Sequence, residues 1–322
     1  MHYALALRLH CNRLLLDNIE RVVTMLSKLR KQKALHLMLL PGVILLFLFS
    51  YVPLFGIVIA FQDYSIARGF LDSRWVGLDN FRFLFLLPTF PRVIRNTFFI
   101  ATSKVVWGIV VPVIFALLLN EVRNKYFKRT VQTITYLPFF LSWVILAGIL
   151  VNVLSPSTGV VNIFLGAVGI EPIFFLGDAS VFPHTMIWTD VIKNMGFGAV
   201  IYLAALTGID PTYYEAAMID GAGRLKQTFY ITLPGLAPTV ILLSTLALGN
   251  VLNAGFDQIF NLYSIAVYST GDIIDTFIFR LGFHDHQFSI SAAVSVFRSA
   301  ISTVLIVVAY TLAYKTTGYR II

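Results

Sequence analysis

The amino-acid sequence predicts an all-α integral membrane protein with six transmembrane helices and a structured cytoplasmic connector, on three observations. Of 322 residues, 58% are hydrophobic and only 12% charged, with a mean hydropathy of +0.82. Ordinary soluble domains run about 25% charged and roughly 45–50% apolar, so much of this apolar surface must face something other than water. Long stretches free of Asp, Glu, Lys and Arg recur, the first between Lys33 and Asp63. Basic residues are unevenly shared among the segments that separate these stretches. The same composition excludes a disordered, collagen-like or disulfide-stapled chain, and the single cysteine, Cys11, has no intrachain partner.

A helix needs about 20 apolar residues to cross a hydrocarbon layer roughly 30 Å thick. The first span is expected over 35–61, with Pro41 near its start and Pro53 placed to kink it. The others are expected over 96–120, 131–154, 183–209, 235–260 and 289–314. The uncharged run 131–170 resembles one very long helix, but Pro156 and Gly159 within SPSTG mark a turn. The VVNIFLGAVGI that follows is too short to span and reads as an interfacial or re-entrant piece. Five or seven spans are the alternatives; six fits the charges best.

Lys and Arg accumulate on the cytoplasmic side of a membrane. With the N-terminus inside, the inner segments 1–34, 121–130, 210–234 and 315–322 hold fifteen of the 24 basic residues, against six in the outer segments 62–95, 155–182 and 261–288. Both termini are therefore expected in the cytoplasm, although Arg68, Arg74, Arg82, Arg92 and Arg95 run against the bias locally. The basic stretch 1–34 follows no apolar run and precedes no small-residue cleavage site, which reads against a removable signal peptide. The net charge of +8 is thus a matter of topology rather than of nucleic-acid binding.

The connector between the fourth and fifth spans reads GIDPTYYEAAMIDGAGRLKQTFYITLPG. Asp210 followed by Pro211 is a helix start, a side-chain acceptor for free N–H groups and then a residue already at a helical φ. Tyr213, Tyr214, Glu215, Ala216, Ala217 and Met218 suit a short helix. Gly221 and Gly223 permit a sharp reversal, and a second helical piece is expected from about Arg224 to Thr232. From local chemistry alone, an amphipathic helix that merely joins two spans is an equal reading.

The spacing as a whole decides between the two. Glu215, Ala216, Ala217, Asp220, Gly221 and Ala222, followed by Ile231, Leu233 and Pro234, resemble the EAA motif of permease subunits in binding-protein-dependent ABC importers. WVGLDNF at 75–81 and the Asn-x-x-Phe beginning at Asn96 are similar to the sugar-importing branch of that family. The resemblance implies a type I ABC importer permease fold in the bacterial cytoplasmic (inner) membrane, with the short helix as a coupling helix seated in a cleft of a cytoplasmic ATPase. It further implies a second homologous permease (a heterodimer favoured), two ATPase subunits and an extracytoplasmic solute-binding protein docked on the outer loops. No cofactor is expected on this chain; ATP and Mg would be held by the ATPase partners. The substrate implied is an oligosaccharide or polysaccharide fragment, with acidic chains such as alginate or pectin among the candidates.

Lys104, Asp190, Lys193, Asp257 and Arg298 fall in or at the ends of the expected spans. A charge at the bilayer centre costs about 2.5–3.5 kcal/mol even on the lenient insertion scale, so such groups face protein, water or a partner. One reading lines a hydrated translocation pathway with them. The other has Asp190 and Lys193, three apart on one helical face, neutralise each other and sets Asp257 at the outer interface. Aromatic residues make up 14% of the chain and invite stacking on sugar rings, but Trp and Tyr also gather at membrane interfaces. His284, Asp285 and His286 form too small a set for a metal site. The chain has no Gly-Lys dipeptide and so no phosphate-cradling P-loop; Gly-x-Ser-x-Gly and His-Glu-x-x-His are absent too, and nothing nominates a catalytic residue. The competing function is an autonomous secondary transporter or channel that uses the intramembrane charges, but such proteins often carry inverted repeats, and none is evident.

Overall fold

The computed structural model describes residues 32–249 and 251–317, which are predominantly helical. Most of the expected basic segment 1–34 and the end of the expected tail 315–322 lie outside the described residues. The chain divides into two units, up to Val58 and from Ile59 onward. Among the described residues, the first holds most of α1 (Lys33–Phe61). Leu37, Met38 and Phe49 are 71%, 80% and 76% exposed, and no residue of the segment Lys33–Leu46 is buried. A helix apolar on all sides with nothing buried is made for lipid or for a partner helix. Pro41 sits within regular helix, whereas Pro53 follows a π turn at Phe47–Tyr51.

In the second unit β1 (Gln62–Asp63) pairs antiparallel with β2 (Arg74–Trp75), and α2 (Asp79–Leu86) leads to the 33-residue α3 (Thr89–Glu121). Next come α4 (Lys125–Phe140), α5 (Trp143–Val153), α6 (Val160–Ala167) and α7 (Phe182–Thr207). The connector holds α8 (Pro211–Ile219), followed by α9 (Arg224–Leu248), α10 (Phe256–Leu262), α11 (Ile274–Phe279) and α12 (Phe288–Thr317). Four helical stretches are individually long and apolar enough to cross a membrane: α1, α3, α9 and Phe288–Val308 of α12. The pairs α4 with α5 and α7 with α8 raise the number to six if each pair forms one span.

Two expected spans differ in detail. The one over 131–154 bends by 111° between α4 and α5, because Leu141 is extended and Ser142 starts a new helix by accepting the Ile145 N–H. The one over 235–260 stops at Leu248, and α10 starts only after Gly255, which precedes it in a left-handed conformation with φ of +89°. At its other end that span begins earlier. The second connector piece and the span are one helix, joined through a π turn at Thr228–Thr232. There Leu233 N–H reaches back to Thr228 O just before Pro234, a register shift that accommodates a residue without an N–H.

Helices α3 and α7 pack most extensively and form the spine. Ile100, Phe182, Met186, Val191 and Ile259 build the central core between α3, α7 and α10. Leu84, Phe90, Ile274, Phe277 and Val294 make a second cluster among α2, α3, α11 and α12. Ala116, Ala199, Tyr202, Leu206 and Leu236 make a third, joining α3, α7 and α9. Close approach of the α4 and α7 backbones requires glycine at 196, where a Cβ would collide with the Thr135 carbonyl oxygen.

Candidate functional site

The connector is built from its caps. Asp210, with extended backbone, accepts the Thr212 N–H at 2.9 Å and opens α8. That bond, together with one from the Thr212 hydroxyl, holds the Asp210 carboxyl below the usual carboxylate range. At the other end Asp220 N–H bonds Ala216 O, Gly221 N–H bonds Met218 O at 3.1 Å, and Ala222 N–H bonds Ala217 O at 2.8 Å. This is the Schellman closure, and it requires a left-handed residue at Gly221, whose φ is +73°. Of the motif residues, Glu215, Ala216, Asp220 and Gly221 are exposed and Ala217 and Ala222 half-buried. Ile231 and Leu233 are half-buried in α9, and Pro234 is exposed.

The connector is tied back to the spans. The Tyr214 hydroxyl meets Thr232 Oγ1 at 3.0 Å, and Gln227 Nε2 donates to Ala222 O at 2.9 Å. Arg224 pairs with Glu121, the last residue of α3, at 2.9 Å. A cleft of about 240 Å³ lies behind α8, lined by Glu121, Leu206, Tyr214, Arg224 and Thr232 among others. Outward, α8 presents Tyr213, Met218 and Ile219, the last 87% exposed.

The two further motifs prove to be anchors. In 75–81, Trp75 stacks on Phe61 and Phe81 tilts against the same ring, while Gly77 turns with φ +62°. Asn80 donates to the carbonyls of Ala60 and Gln62, each at 2.9 Å. Asn96 donates to the carbonyls of Ser269 and Asp272, and Thr97 Oγ1 accepts the Ile274 N–H. Together these residues hold the 268–274 segment against α3.

The charged residues each find a place. Lys104 is buried, donating to Ala254 O at 2.7 Å and to Gln258 Oε1, with Asp190 Oδ1 at 3.8 Å. Lys193 does not pair with Asp190. Its ammonium donates to the carbonyls of Pro138, Phe139 and Leu141 at 3.0, 2.9 and 2.8 Å, the end of α4 where the third span bends. Arg298 pairs with Asp275 at 2.5 Å. Asp257 lies exposed in α10, outside the long helices. Of the five, only Lys104 and Asp190 come together. Sequence reasoning missed Gln258, Asp275 and the buried Asp272–Arg280 pair, in which Arg280 also lies over the Tyr268 ring at 4.6 Å. His284 contacts Asp285, and no group of three or more metal-ligand side chains exists among the described residues.

A bundle of apolar spans joined by a stiffly capped, exposed connector defines a membrane transport component, a permease. Residues 108–317 match the binding-protein-dependent transport system inner membrane components, and the chain belongs to that family. It is 42% identical over 296 residues to the polygalacturonan/rhamnogalacturonan transport system permease protein YteP of Bacillus subtilis (strain 168), covering 92% of each chain. Protein LplB of the same organism is 39% identical over 293 residues, 91% of this chain and 92% of that one. The crystal structure of a bacterial ABC transporter involved in the import of the acidic polysaccharide alginate matches with a TM-score of 0.83 at 36% identity, covering 91% of this chain and 99% of that one. The bacterial alginate ABC transporter in complex with an alginate pentasaccharide-bound periplasmic protein matches with a TM-score of 0.81, also at 36% identity, over 90% and 97%. The family resemblance carried by the connector motif therefore holds, as do the helical permease fold and a transport rather than an enzymatic role.

Proposed function

We propose that this chain is one of two permeases in an ATP-driven importer that receives an acidic oligosaccharide from an extracytoplasmic solute-binding protein. The observation that carries the reading is α8, capped at both ends, exposed along its outer side and continuous with α7 through a 70° turn. A helix so constrained moves as a unit and passes its displacement to the span before it. In this reading α8 is the coupling helix, seated in a cytoplasmic ATPase that holds ATP and Mg. Glu215 offers a charge to a basic group there, Ala216 and Ala217 allow close backbone approach, and both termini are cytoplasmic.

The second permease is a homologous, non-identical chain, and two ATPase subunits complete the inner side. The segments 62–95, 155–182 and 261–288 face the binding protein. ATP binding favours one of two arrangements of the spans, a population shift driven by differential affinity. Asp190 and Asp257 keep solvent-accessible atoms and are candidates for a hydrated path. Lys104 and Lys193 commit their donors largely within the protein. The acidic substrate class is supported by the polygalacturonan/rhamnogalacturonan permease and by the alginate transporters named above.

The test is reconstitution of the chain with its second permease, ATPase and binding protein, followed by uptake of alginate and galacturonan oligosaccharides. Uptake of an acidic oligosaccharide that requires both ATP and the binding protein is expected. Uptake by this chain alone, driven by an ion gradient, would overturn the proposal.

A further inference from the structure

Between α7 and the outer segment lies a polar joint centred on Gln258, a residue that neither the connector nor the saccharide reading uses. Gln258, fully buried in α10, donates through Nε2 to Met186 O and to Thr189 Oγ1, both at 2.8 Å and both on α7. Its Oε1 accepts from the Lys104 ammonium on α3. Lys104 also donates to Ala254 O at 2.7 Å, within the break between α9 and α10. Gly255 fits there because a Cβ would lie 2.8 Å from Lys104 Nζ. Asp190, four residues after Met186 on α7, stands 3.8 Å from the same ammonium. Both Gln258 donors and its acceptor are thus engaged with the two spine helices.

We infer that Gln258 is the positioning residue through which displacement of α7 reaches the outer segment carried by α10. The physical reason is directionality. Apolar contacts let helices slide, whereas a buried side chain holding two acceptors on one helix cannot shift without leaving polar groups unpaired, so α10 follows α7. Helix α7 runs directly into α8, so the same helix that receives the lever's movement grips the outer segment. This inference rests on reading α8 as the coupling helix, and the experiment below separates the two.

The complete complex is assembled with Cys11→Ser and Asn261→Cys, the latter exposed on α10, and carries an environment-sensitive dye at position 261. ATP with vanadate is expected to shift the dye's emission in the otherwise unaltered chain. Gln258→Leu is expected to abolish most of that shift, while basal ATP hydrolysis persists. A full shift in assembled Gln258→Leu overturns the inference. Should that variant fail to assemble, Thr189→Val, which removes one of the two acceptors, is expected to give a partial loss, and a full shift there overturns it equally. Gly221→Val reports on the lever itself: if it too leaves the shift intact, the coupling-helix reading falls. If it abolishes the shift while Gln258→Leu does not, only the present inference falls.

Discussion

The Lys193 ammonium stands 2.8 Å from the Leu141 carbonyl oxygen, and it bonds the carbonyls of Pro138 and Phe139 as well. A helix end leaves its last carbonyls without intrahelical partners, and inside a membrane no water replaces them. An ammonium has three donors, and here three carbonyls receive them. Lys193 therefore caps the end of α4 at the 111° bend of the third span.

Lys193→Met is expected to leave the Phe139 and Leu141 carbonyls without this donor, Pro138 O keeping the Leu141 N–H, and to destabilise the permease by about 1–3 kcal/mol, the cost of leaving buried acceptors unpaired. A lowered unfolding midpoint of the purified complex in detergent checks this. Lys193→Arg, which keeps N–H donors at the bend, is expected to recover part of the loss.

At Gly221 backbone conformation, not space, sets the constraint. No atom lies within 4 Å of a Cβ built there, yet φ is +73°. A non-glycine residue in that region costs about 1–2 kcal/mol, and asparagine tolerates it best after glycine. Gly221→Val is therefore expected to uncouple ATP hydrolysis from uptake while leaving membrane insertion intact, with Gly221→Asn milder. Parallel ATPase and uptake assays check the order, and equal, full coupling in both variants would contradict it.

The cap at Asp210 predicts a pH response. Hydrogen bonds from Thr212 hold its carboxyl below the ordinary range. The contribution is therefore complete above the unfolded carboxylate value, about 3.9, and is lost as pH falls through the lowered folded value. Between pH 6 and 8 coupling is expected to show no titration from this group. Asp210→Asn, which keeps an acceptor, should couple better than Asp210→Ala, as the ratio of uptake to ATP hydrolysis will show.

Asp272 is buried, and Arg280 pairs with it from less than one-third exposure. Removing one member of a buried pair leaves an uncompensated charge, at a cost of about 3–5 kcal/mol. Asp272→Ala is expected to lower the unfolding midpoint markedly, and the double variant Asp272→Ala with Arg280→Met to recover much of it. A single variant that melts like the parent would show the pair to be dispensable.

Much of this was legible in one dimension. Spans announce themselves because a bilayer demands some twenty apolar residues in a row, and the connector because Asp-Pro starts and glycine reversals are local chemistry. The Glu215-to-Pro234 spacing carried the family. The bend at Leu141 was hidden because its stabilising donor, Lys193, lies more than fifty residues away. The end of the fifth span at Leu248 was missed because no charged residue interrupts the run before Asp257, although Gly249, Asn250, Asn253 and Gly255 follow it.

The sequence by itself determined the helical permease class and the family motif of the connector, since each rests on the composition or spacing of neighbouring residues. Only the tertiary structure decided which partners the charges of the expected spans find. Asp190 and Lys193 are close in sequence and share a helix, yet one turns to Lys104 and the other to the end of α4. An ionised group excluded from water settles with the strongest available partner in three dimensions, and distance along the chain does not say where that partner is.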